Sequence, residues 1–148
     1  MKKNLRQIGY IIFHPFDGFW SLKHENPVSY LNAWVILMIL VVVYTIRSQF
    51  TGFIINLSDK TDFNLFYQAT SIILPFLLWC ISNWCITTLV DGEGSFKDIF
   101  ITTAYALIPL ILLNIPMVII SNLITVDEVV FYNILDTVSI LWAGFLLV

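Results

Sequence analysis

Charge is what this sequence has least of. Seven basic and ten acidic residues make up only 11% of the 148-residue chain, against about 25% in soluble domains. No Asp, Glu, Lys or Arg occurs in residues 63–90 or in residues 99–126, two runs of 28 residues each. As helices, such runs would each extend roughly 42 Å, beyond the ~30 Å of a hydrocarbon core. Too few charges remain to cover a soluble surface, so a water-soluble fold is excluded and a bilayer must solvate the rest. The seven basic residues lie scattered and form no phosphate-neutralising stripe, which excludes nucleic acid as a partner.

Cysteine is equally scarce. Cys80 and Cys85 are the only two, and five residues apart on a helix they lie about 140° around its axis, too far to bridge. They read as small apolar side chains. His14 and His24 match no metal spacing, and no Ser or Cys sits in a nucleophile elbow. No cofactor, metal or catalytic residue is therefore assigned. The residual enzyme reading would require His14, Asp91 and Glu93 to converge. As a pair, Asp91 and Glu93 could hold a cation, but on a Gly-rich turn they read first as solvated carboxylates, and the segment lacks the length and ligand order of an EF-hand.

What the chain does have is apolar length. Residues 1–25 form an expected interfacial segment: Leu5, Ile8 and Ile12 share a helical face behind Lys2, Lys3 and Arg6, and Pro15 breaks the run before Phe16, Phe19 and Trp20. No small-residue cleavage site follows, so a removable signal peptide is not expected. Residues 26–148 form an expected transmembrane domain. Asn26 and Pro27 are a helix-start pair, and the first span covers about residues 29–49. Trp34 and Tyr44 are placed near its two interfaces, and Arg47 snorkels outward. A polar loop follows, with an interfacial apolar patch at residues 53–57. The second span covers about residues 66–90, with Gly92 as its C′ residue. Ser95 is then the N-cap and Asp98 the capping-box partner of a third span, residues 96–123. The fourth apolar segment, residues 129–148, ends while still hydrophobic. The expectation is an all-α bundle of four spans in a fragment that lacks a last one.

Orientation follows from basic residues. With the N-terminus inside, Lys2, Lys3, Arg6, Lys23 and Lys97 are cytoplasmic, and Arg47 and Lys60 external, five against two. Within the spans, Pro75, Pro109 and Pro116 each remove a backbone hydrogen bond and expose the carbonyls of Ser71, Tyr105 and Leu112. Pro109 and Pro116 are expected to bend the third helix twice, either to line a path or simply to fit the bilayer. Asn83 and Asn114 are amides suited to bridging helices. Asp136 has two readings: an intramembrane carboxylate, functional by default or kept neutral by hydrogen bonding, or the N-cap of residues 137–148 if residues 129–135 are interfacial.

Asn83-Trp84, Thr87-Thr88-Leu89, Asp91-Gly92-Glu93-Gly94, Phe96-Lys97 and Tyr105-Ala106-Leu107-Ile108-Pro109 resemble the signature of the YIP membrane-protein family in its bacterial branch. His14-Pro15-Phe16-Asp17-Gly18-Phe19, ahead of the first span, is similar to an element those members carry at the same place. The resemblance covers most of the chain. It implies an all-helical membrane domain, usually of five spans, with a cytoplasmic N-terminus and no catalytic residues. The eukaryotic association with vesicle traffic and Rab-type GTPases does not carry over, because the N-terminal region here is too short to recruit them. Two functions are expected. The first is a non-catalytic protein of the cell membrane that packs against lipids, other integral membrane proteins or its own copies, as an accessory to transport or membrane organisation. The second is a permease or channel-like subunit with a polar path past Pro75, Pro109, Asn83, Asn114 and Asp136.

Overall fold

In hydrocarbon every backbone N–H and C=O must find an internal partner, so long uncharged runs can cross only as helices or closed barrels. The computed structural model, which describes residues 20, 30–52, 55, 64–90, 92 and 94–147, takes the helical solution throughout. Its helices are α1 (Tyr30–Phe50), α2 (Leu65–Leu89), α3 (Phe96–Ala106), α4 (Ile108–Ser121) and α5 (Val129–Leu147). A 3-10 turn, Val126–Glu128, leads into α5. Four segments are long and apolar enough to cross a membrane, with α3 and α4 together making the third. The expected interfacial segment (Trp20 apart), the Asn26-Pro27 start, and Asp91 and Glu93 lie outside the described residues.

Side chains define three of the helix starts. The Asn64 side chain accepts from the backbone N–H of Phe66 and Tyr67 to start α2. At its far end the Gly92 N–H donates to the Thr87 carbonyl at 2.9 Å. With Val90 as C-cap, this is the 6→1 bond of a Schellman motif, so Gly92 stands at C″, one residue beyond the C′ place expected. A Cβ there would press on the Thr87 side chain at 2.7 Å. Ser95 caps α3 by accepting from the Asp98 N–H, and its own hydroxyl donates to the Asp98 carboxylate at 2.8 Å. Ahead of α5 the Thr125 N–H donates to the Glu128 carboxylate at 3.3 Å, the reach-back arm of a capping box.

The third span is interrupted at Leu107. α3 stops at Leu107, whose N–H reaches back only to Ala104. Pro109 falls in the first turn of α4, where its missing N–H would lack an intrahelical partner in any case. α4 runs on through Pro116 to Ser121. Pro75 likewise lies inside an unbroken α2.

α1 is central and packs on α4, α3 and α2, while α5 covers α4. Small residues allow the close approaches: Ala33, Ala104, Ala106, Ser139 and Ala143 are all buried. At one end of the bundle Phe100 is enclosed by aromatic rings, with Tyr30, Phe76 and Trp34 centred 4.7, 5.0 and 5.4 Å away. At the other end α1 and α4 are clamped. The Gly52 N–H donates to the Ser121 hydroxyl at 3.1 Å, and the Asn122 amide donates to the Phe50 carbonyl at 2.9 Å. A Cβ on Gly52 would collide with the Ser121 carbonyl oxygen. Gly52→Ala is therefore expected to destabilise the bundle by about 1–3 kcal/mol, as overpacking does. Thermal unfolding in detergent checks it, and an unchanged midpoint would show that the two helix ends part freely.

Candidate functional site: an intramembrane ion pair

The polar residues of the clamped end converge below its surface. Asn114 lies seven residues before the end of α4, and Asp136 seven residues after the start of α5. At 1.5 Å per residue both stand roughly 10 Å inside their helix ends. Arg47 lies in the last turn of α1. Its Nη1 donates to Asp136 Oδ1 at 2.7 Å and also to Asn114 Oδ1, while Nη2 donates to Asp136 Oδ2 at 2.9 Å. This is a bidentate guanidinium–carboxylate pair with an amide as third partner. Asn114 is fully buried, and its Nδ2 is held by the Leu110 carbonyl at 2.6 Å, which turns its oxygen toward Arg47.

Arg47 does not snorkel outward. Side chains on a helix lean toward its N-terminus, so an arginine at the C-terminal end of α1 is aimed into the bundle. Asp136 is not an N-cap. It sits in the middle turns of α5, which begins at Val129, and it pairs with Arg47 across the bundle. Carrying either charge alone into the membrane would be costly, and pairing is the usual resolution. Tyr44 and Tyr132 stand beside the guanidinium, with ring centres 6.0 and 5.8 Å from it. Tyr44 is thus part of the node and does not mark an interface.

The other candidates lie elsewhere. Asn83 is half-buried and donates to the Trp79 carbonyl of its own helix at 2.9 Å, so it does not bridge spans as expected. Lys97 is exposed in the first turn of α3, at the aromatic end. Pro75 and Pro116 face outward, whereas Pro109 is buried. Cys80 is buried and Cys85 exposed, both unbridged. Among the described residues no three of His, Cys, Asp and Glu gather as metal ligands would.

Arg47, Tyr44 and Tyr132 were missed by sequence reasoning, yet a signal existed. Antiparallel succession places the end of α1 and the start of α5 on one side of the membrane. A lone Asp in α5 then needs a counter-ion from a neighbour's end, and Arg47 is the basic residue there whose side chain points inward.

A four-span helical bundle with an internal ion pair is a polytopic integral membrane protein. The chain matches the Yip1 domain over residues 9–148 and belongs to that family. No match was found among curated proteins or solved structures.

Proposed function

We propose that this chain is a non-catalytic member of the Yip1 family that works through contacts in the membrane plane, with lipids, other integral membrane proteins or its own copies, as an accessory to transport or membrane organisation. The observation that carries this reading is the uneven burial of the spans. Only 11% of the apolar window of α2 is buried inside the bundle, against 50% for the span made by α3 and α4. Leu74, Leu78, Ile81 and Ile86 remain exposed along it. The Arg47–Asp136–Asn114 node ties α1, α4 and α5 together and leaves the outer faces to others. A continuous polar path finds less support, because Asn114 and Asp136 are engaged by Arg47, and Phe100 with its ring neighbours fills the opposite end. We place the chain in the cell membrane with the N-terminus and Lys97 inside, on the charge count.

A membrane-impermeant, lysine-reactive cross-linker applied to intact and then opened cells tests both parts. Lys60 is expected to react in intact cells and Lys97 only after opening, with recurrent cross-links to one membrane protein or to a second copy. Reaction of Lys97 in intact cells would reverse the orientation. A complete lack of cross-linked neighbours would remove the protein-contact arm.

A further inference from the structure

Two adjoining clefts run along facing sides of α1 and α2, with α5 contributing Tyr132 to the first and Leu147 to the second, and Thr103, Leu107 and Leu110 flooring the second. One, of about 260 Å³, lies at the clamped end and is lined by Tyr44, Arg47, Ser48, Thr51, Gln68 and Tyr132, with Ile55 at its edge. The other, of about 370 Å³, continues inward past Leu40, Ser71, Pro75, Phe76 and Trp79, and shares Tyr44 with the first. The lining residues descend from Thr51, just past the end of α1, through 47, 44 and 40 of that helix, and along the antiparallel α2 as 68, 71, 75 and 79. Eleven residues on each helix correspond to roughly 16 Å, about half of a ~30 Å hydrocarbon core. Along α1 and α2 the groove is thus polar at the membrane end and apolar inward, and its apolar part reaches at least to mid-membrane.

Its polar end offers donors. Three of the five guanidinium N–H groups of Arg47 are used in the node, and the other two have no partner among the described residues. Asp136 and Asn114 lie behind Arg47 and do not line the cleft. Tyr132 is 1% exposed, and its hydroxyl has no hydrogen-bond partner among the described residues. A buried donor left unpaired is unfavourable, and the group that suits a guanidinium edge beside a hydroxyl is an acceptor-only oxyanion such as a phosphodiester.

We propose that this groove holds one glycerophospholipid, with its phosphate on Arg47 and the Tyr132 hydroxyl and one acyl chain along Leu40, Pro75, Phe76 and Trp79. The assignment rests on the membrane-contact reading above and names the lipid class and its seat. A phosphate provides the acceptors that the exposed edge of Arg47 and Tyr132 lack among the described residues, and the chain fills an apolar cleft that water would not.

The test is native mass spectrometry of the full chain in mild detergent with added phosphatidylglycerol, and in parallel with diacylglycerol of the same chains or with inorganic phosphate. One phosphatidylglycerol is expected to stay bound, with diacylglycerol retained at least about tenfold less. Tyr132→Phe, which removes a hydroxyl that holds no group among the described residues, should weaken retention about fivefold. Ser71→Trp, which fills the inner cleft without touching the node, should abolish it. Equal retention of diacylglycerol, unchanged retention in both variants, or binding of inorganic phosphate alone in the same concentration range would overturn the proposal. Cross-linked protein partners in the absence of a retained phospholipid would reject the lipid seat while leaving the membrane-contact reading intact.

Discussion

Replacing Asp136 with leucine is expected to cost the folded bundle about 3 kcal/mol, because it leaves the Arg47 guanidinium unpaired inside the membrane. The figure is the low end of the range for broken buried pairs, since 20% of the Arg47 side chain and 27% of the Asp136 side chain remain exposed. The pair itself is not expected to be the source of that stability. Replacing both charges, Arg47→Met with Asp136→Leu, should recover most of the loss, falling short by about 1 kcal/mol for the Asn114 amide oxygen left without its donor. Reversible unfolding in mixed detergent micelles measures all three proteins. A double variant as unstable as Asp136→Leu would show that the charges contribute by attraction. A stable Asp136→Leu would show that Arg47 finds water or a headgroup as soon as it is released.

At the opposite end, Phe100→Ala is expected to destabilise the bundle by about 3–5 kcal/mol. Phe100 is fully buried and touches rings from α1, α2 and its own helix. Inside a membrane little hydrophobic force holds helices together, so lost packing contacts are not replaced by an equivalent solvent effect. Phe100→Leu should lose markedly less, because it retains most of the volume. The same unfolding measurement checks both, together with the ratio of the two losses. Equal losses would point to the aromatic contacts themselves and not to the filled volume.

The two ends of the bundle were legible to different degrees. In the hairpin between α2 and α3, Ser95 was legible as a cap and Gly92 to within one position, because each acts through a backbone group a few residues away, whereas the Asp98 carboxylate takes the Ser95 hydroxyl and not the backbone N–H expected of it. The four spans were legible for the same kind of reason, since an uncharged run in hydrocarbon has few other ways to satisfy its backbone. The node was legible only in its parts. Asn114 and Asp136 stood out as polar residues in apolar runs, but Arg47 lay near a span end, where a basic residue is ordinary. Its role depends on the lean of a helical side chain and on which neighbour lies beneath it. Asn83 looked equivalent to Asn114, and nothing in its local sequence distinguishes an amide that bonds its own helix from one that faces another.

The amino-acid sequence by itself determined that this chain is an all-helical membrane protein, where its second to fourth apolar segments lie to within about two residues, and which family pattern it carries. The first two follow from local composition and short-range capping, and the third from the order and spacing of particular residues. Only the tertiary structure decided that Arg47, Asn114 and Asp136 form one polar node and that a groove polar at one end runs along α1 and α2. It also decided that the third span divides at Leu107 while α4 continues through Pro116. Those outcomes depend on the depth and rotation of each helix against its neighbours, set by packing between residues far apart in the chain.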